Sequence, residues 1–171
     1  MDESHPAENN DALTKAQTIR QALMTQQKSV MLATINADGS PLASYTPFVV
    51  DVDTCFYIFV SMLSYHTDNL LRTKQASLML IADEATSPQI FARSRLTFAC
   101  RAEELKRDSN RWHVAARYYE ESFANMFKLL CGLRDFKMVK LVPHAGTLIV
   151  GFGQAYTLEG DALDQLVLRQ D

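Results

Sequence analysis

Apolar residues change their spacing several times along the chain, and each change marks an element. Between Asp11 and Gln27 the positions Ala12, Ala16, Ile19 and Leu23 recur at helical spacing, with Lys15, Arg20 and Gln26 elsewhere. This predicts a first helix over 11–27, capped by Asn10 or Asp11. The pattern then becomes that of strands. Val30 to Ile35 and Leu42 to Val50 are two apolar runs separated by Asn36-Ala37-Asp38-Gly39. Asp and Gly accept positive φ at low cost, so the pair reads as a hairpin. Pro47 lies inside the second run and has no N–H for a ladder, which places it at an edge, bulge or kink. Cys55 to Val60 predicts a third strand, and Ser64 opens a short helix that turns Leu70 and Leu71 inward. Gln75 to Ala82 is a fourth strand, followed by a loop over 83–88.

In the fifth strand, Phe91 to Glu104, the residues Leu96, Phe98 and Cys100 alternate with Arg95, Thr97 and Arg101. Such alternation buries one face and leaves the other wet. Asp108-Ser109 caps a helix reaching about Leu130, with a stripe of Trp112, Ala116, Tyr119, Phe123, Phe127 and Leu130 and a break near Ser122. Phe136 to Leu141 and Thr147 to Phe152 read as strands around a Pro143-His144-Ala145-Gly146 turn. Gly153 to Leu158 extends the sheet, and Ala162 to Leu168 reads as a last short helix. The expectation is one α+β domain over 11–171, mainly β, with six or seven strands and helices outside. Residues 1–10 are expected to form a disordered tail.

The totals fit this picture. A chain of 171 residues with 47% hydrophobic and 22% charged side chains can bury a core. A net charge of −3 and a pI near 5.8 argue against nucleic acid as the partner, since phosphate binding needs a basic face. No apolar run approaches the ~20 residues of a membrane helix. The opening MDESHPAENN is too acidic for a signal peptide. Cys55, Cys100 and Cys131 are odd in number and far apart, which fits buried thiols in a reducing cytoplasm better than a zinc site.

Candidate chemistry is sparse. Gly151-Phe152-Gly153-Gln154-Ala155-Tyr156 begins as a dinucleotide fingerprint but fails at Tyr156 and runs into a strand where a helix should open. The helix start at Ser64-Tyr65-His66-Thr67 offers free N–H groups and a positive dipole end to an anion, with Ser61 nearby. Arg93, Arg95 and Arg101 belong to or border the fifth strand, where guanidiniums suit carboxylate or phosphate. Of four histidines, only His66 falls beside a candidate site; His144 lies in the turn reading above.

Several runs carry a resemblance: YTPFV (Tyr45 to Val49), HTDNL (His66 to Leu70), FARSRLTF (Phe91 to Phe98), RDS (Arg107 to Ser109), RDFKMVKLVP (Arg134 to Pro143) and GFGQAY (Gly151 to Tyr156). Together they resemble the pyridoxamine 5′-phosphate oxidase-like, FMN-binding split β-barrels, and within them the heme-utilisation (HugZ/HutZ-type) branch. The likeness covers roughly 12–168. It implies a split barrel in an intertwined homodimer, with ligand sites at the interface and either heme or FMN as cofactor. In FMN-using members an Arg-Lys pair grips the phosphate; allowing a one-residue gap, Tyr65 and His66 stand there, so the phosphate would rest on Ser64 to Thr67. In the heme branch, strand arginines meet the propionates, matched by Arg93 and Arg95. An acidic residue supporting the iron-bound histidine is matched by Asp135. That histidine lies in a tail beyond the last helix and has no match up to Asp171; either it falls further along, or His66 or His144 serves as the metal ligand, or no iron is bound. Ser61 and His66 would line the pocket. The resemblance implies heme binding with oxidative ring opening that releases iron; the alternatives are an FMN-dependent oxidoreductase or a non-catalytic heme or flavin carrier. The expected setting is a bacterial cytoplasm, with no membrane or nucleic-acid partner.

Overall fold

The computed structural model describes residues 6–169. The chain runs α1 (Pro6–Gln26), β1 (Ser29–Ile35), β2 (Pro41–Pro47), β3 (Val49–Val50), β4 (Phe56–Ser61), α2 (Tyr65–Thr73), β5 (Gln75–Ile81), β6 (Arg95–Leu105), α3 (Asn110–Cys131), β7 (Phe136–Gly151), β8 (Gln154–Glu159) and β9 (Gln165–Leu168), with a short 3-10 turn at Ile90–Ala92. All pairings are antiparallel, in the order β2-β1-β5-β6-β7-β4-β3, with β8 on β7 and β9 on β8. The architecture is α+β, a mainly antiparallel sheet curled into a split barrel. It has nine strands rather than six or seven: β3 separates from the second predicted run after Pro47, and β9 forms in place of the expected short helix. Helix α1 starts earlier than residue 11, and residues 1–5 of the expected tail lie outside the described residues.

The hairpin forms as its turn chemistry dictates. The N–H of Asn36 bonds Ser40 O at 2.8 Å, Asp38 Oδ1 accepts from Ser40 N at 2.9 Å, and Gly39 takes φ +85°. In β4 both faces are buried, which explains its unbroken apolar run. Phe56, Ile58 and Val60 enter the barrel with Leu32, Leu78, Leu96, Phe98 and Leu148, while Tyr57 and Phe59 pack under α3 against Trp112, Tyr119 and Phe127. Helix α1 adds Ala16, Leu23 and Met24 to the barrel core. Ser109 caps α3 by accepting from Trp112 N at 3.2 Å, and Arg107 of the RDS run lies over the Trp112 ring and donates to Cys131 O.

Three sequence expectations are corrected. Pro143 to Gly146 is not a turn but the middle of the sixteen-residue β7. One edge of β7 pairs with β6 throughout; the other pairs with β4 as far as Leu141 and with β8 from Gly146. Pro143 falls in the gap between those two partners, where a missing N–H costs no ladder bond, beside a bulge opposite Ala99/Cys100. Gly146 is there for packing: a Cβ would stand 2.9 Å from Phe98 Cδ1. The segment 162–168 is a turn followed by strand β9, because pairing with β8 outweighs the helical spacing of Leu163 and Leu166. The irregularity in α3 is at Ala124 (φ 34°, ψ −109°), not Ser122.

One side chain spans the split. The Tyr119 hydroxyl accepts from Phe59 N at 2.9 Å and lies 3.1 Å from Pro47 O and 3.2 Å from Tyr57 O, so it ties the end of β2 to β4 where no ladder joins them.

Candidate functional site

The first group of predicted residues gathers at the start of α2. Ser64 is its N-cap in extended geometry (φ −91°, ψ 127°) and makes no side-chain cap bond. Its N–H bonds Ser61 O at 3.1 Å, and Thr67 Oγ1 donates to the same carbonyl at 2.6 Å. Thr67 is fully buried, so its hydroxyl serves the turn and not a ligand. Ser61 Oγ donates to Asp135 Oδ2 at 2.5 Å, and Met62 N bonds Asp135 O at 2.9 Å. Ser61 therefore holds Asp135 in place, with one carboxylate oxygen outside that bond. Tyr65 is 81% exposed and available at the surface.

His66 points the other way, into the protein. Its Nδ1 lies 3.0 Å from Ser44 Oγ on β2. Burial pushes its pKa below the ordinary histidine value, which favours the neutral ring. Asn69 docks the same helix to the hairpin through Thr34 Oγ1 (3.1 Å) and Asn36 Oδ1 (2.9 Å), and Arg72 Nη2 donates to Ile35 O at 2.6 Å. Sequence reasoning passed over Ser44 and Asn69. The signal for Ser44 was parity: Ser44 and Thr46 put polar groups on the inward side of β2, opposite the exposed Tyr45.

The second group lies elsewhere. Arg95 opens β6, paired with Ile81 and Ile149, whereas Ser61 pairs with Phe136, beyond the Met138–Leu105 pair that closes β6. At roughly 3.3 Å per residue the intervening strand is about 30 Å long, so one chain does not unite the two groups. Arg93 Nε donates to Ala82 O at 2.7 Å and its Nη1 meets Glu84 at 3.1 Å; Arg95 Nη1 donates to Arg93 O at 3.1 Å. Arg93 lines a cleft of about 410 Å³ with Ala82, Thr86, Ser87, Pro88, Gln89, Ala92, Ser94, Val150, Gly151 and Phe152. FARSRLTF and GFGQAY, remote in sequence, thus meet in one concavity.

His144 is exposed in the β7 bulge, apart from both groups. Among the described residues no three His, Cys, Asp or Glu side chains converge on a metal position; a heme iron needs only a single protein ligand. No helix among the described residues is long and apolar enough to cross a membrane.

A curled antiparallel sheet of this strand order, with a helix start at one end of its central strands, is the architecture of the split-barrel class. The chain belongs to the pyridoxamine 5′-phosphate oxidase family, whose model matches residues 17–149. It is 38% identical over 142 residues to the heme oxygenase HutZ of Vibrio cholerae, a match covering 83% of this chain and 80% of that protein. A crystal structure of HutZ, there described as a heme storage protein, superposes with a TM-score of 0.72 at 35% identity, over 77% of this chain and 92% of that one. The structure of Campylobacter jejuni ChuZ gives a TM-score of 0.79 at 28% identity, over 91% of this chain and 63% of that one.

Proposed function

We propose that this protein binds heme as a homodimer of the heme-utilisation type and opens the ring oxidatively to release iron. The observation that carries the choice of ligand is the distribution of cations. The α2 start holds Tyr65 and a neutral, inward-turned His66, so an FMN phosphate would meet backbone N–H groups but no charge-assisted partner. FMN would be held here by the helix start alone, which makes it the weaker of the two ligands. At the other end of β6, Arg93 and Arg95 suit the paired carboxylates of a tetrapyrrole; Arg93 keeps Nη2, and Arg95 donates to protein only from Nη1 among the described residues. The likeness to HutZ points the same way.

The homodimer is supported by the outer face of the sheet. Directly opposed residues form a row across seven strands, Tyr45–Met31–Met79–Thr97–Thr147–Thr157–Val167, beside a row of small residues, Ala43–Ala33–Ser77–Ala99–Ala145. Neither row contains a charge, yet Met31 is 46% and Tyr45 63% exposed. A broad uncharged sheet face of this kind marks an association surface. Arg95 borders it, which is where a second copy could bring its Ser61–Asp135 group towards the arginines of the first. In that arrangement Arg93 and Arg95 anchor the ligand's carboxylates, and the free oxygen of Asp135 accepts from a proton-bearing group beside it. Heme itself, when bound, supplies the oxygen chemistry. His66, held by Ser44, and the exposed His144 stay candidate iron ligands, neither lying beside Arg93 in the same chain; the three unpaired cysteines support a reducing, cytoplasmic setting.

The test is a titration with hemin and, separately, with FMN. A Soret shift saturating at one hemin per subunit is expected, and binding of FMN alone would refute the reading. Ascorbate and oxygen are then added to the hemin complex: decay of the Soret band with iron release is expected of the enzyme, and an unchanged band identifies a carrier.

A further inference from the structure

We propose that Phe152 is the stacking residue of the Arg93 cleft, the apolar platform on which the flat ring of a carboxylated tetrapyrrole lies while Arg93 takes a carboxylate. This rests on the heme reading and adds to it the residue that selects a flat conjugated ring over any small carboxylate. Phe152 sits at the tip of the β7–β8 turn, with Gly153 at φ +67° to complete the reversal. It is 70% exposed, yet it lines a concave cleft with Arg93, Ser94 and Gln89. The exposed residues of the sheet face lie in flat rows suited to another protein surface. Phe152 instead lines a concavity whose volume of about 410 Å³ is of ligand scale and whose wall carries a guanidinium.

The charge balance agrees. Arg93 meets Glu84 at 3.1 Å, but the Glu84 side chain is 72% exposed, so that pair is weak and readily exchanged for a ligand carboxylate. The second Arg93 anchor, Nε on Ala82 O, stays in place during such an exchange and keeps the guanidinium aimed at the cleft. Aromatic face and planar cation then contact different parts of one ligand, ring and acid group.

The experiment titrates hemin into wild type, Phe152→Ala, Phe152→Tyr, Glu84→Gln and, as a control, Val52→Ala at a fully surface position. The readouts are the Soret band and quenching of the only tryptophan, Trp112. Phe152→Ala is expected to raise Kd roughly tenfold, the effect of losing one ring contact, while Phe152→Tyr keeps wild-type affinity. Glu84→Gln is expected to tighten binding a few-fold by freeing Arg93. Val52→Ala leaves Kd unchanged. If wild type binds hemin and Phe152→Ala binds it equally well, the platform role is wrong and the heme reading stands. Weaker binding by Glu84→Gln would overturn the part assigned to Arg93. A wild-type protein that does not take up hemin removes the heme reading and this inference with it.

Discussion

Two residues show how little of a side chain's task is visible from its type. Tyr119 reads in the sequence as one more member of the α3 stripe, yet its hydroxyl is the polar clasp between β2 and β4. Removing that oxygen leaves Phe59 N–H without its partner in a buried place. Tyr119→Phe is therefore expected to lose about 1–3 kcal/mol of stability in urea unfolding; a loss near zero would show that water replaces the hydroxyl. His66 reads as a ligand candidate beside an anion site, but it turns inward to Ser44. Its pKa is lowered in the fold by burial, so the unfolded chain binds its proton more readily. The stability tied to the neutral ring is complete above the unfolded value of about 6.5 and falls as pH drops through it. Stability measured from pH 8 down to pH 5 is expected to decline less steeply in His66→Gln than in wild type; parallel curves would mean that His66 titrates normally.

At the scale of elements, the question is what holds α2, since the candidate site begins at its first turn. Nine residues are too few for a self-sustaining helix in water. Its position comes from Asn69 and Arg72 gripping the β1–β2 hairpin and from Leu70 in the core. Asn69→Ala breaks both side-chain bonds to Thr34 and Asn36. Amide hydrogen exchange in 65–73 is expected to accelerate at least several-fold, with little change in the barrel strands. Uniform acceleration everywhere would instead mean global destabilisation. Element β7 teaches the converse lesson. Pro-His-Ala-Gly has the composition of a turn, but Pro143 occupies the one interval where its neighbour strand changes, and Gly146 makes room for Phe98. Local composition was misread because the reason for each residue lay on another strand.

The whole molecule, taken as one chain, has its two candidate groups at opposite ends of β6 and a bare sheet face between partners it does not itself contain. The proposed dimer answers both facts. Met31→Glu places a charge in the middle of the uncharged row on a side chain already 46% exposed in the single chain. It is expected to fold and to elute at the single-chain mass of 19.3 kDa, where wild type elutes at twice that mass; a wild type that is itself monomeric would end the proposal.

Periodicity and turn chemistry determined the hairpin, the buried and wet faces of β6, the cap of α3 and the mainly β class, because those features depend on neighbours within a few residues. The runs around Arg93 and Gly151 also stood out in the sequence. Only the tertiary structure decided that these two runs share one cleft, that Ser61 holds Asp135, that His66 faces β2 and that Pro143 lies mid-strand. Each of those facts depends on register between strands distant in sequence, and register is a property of the assembled sheet.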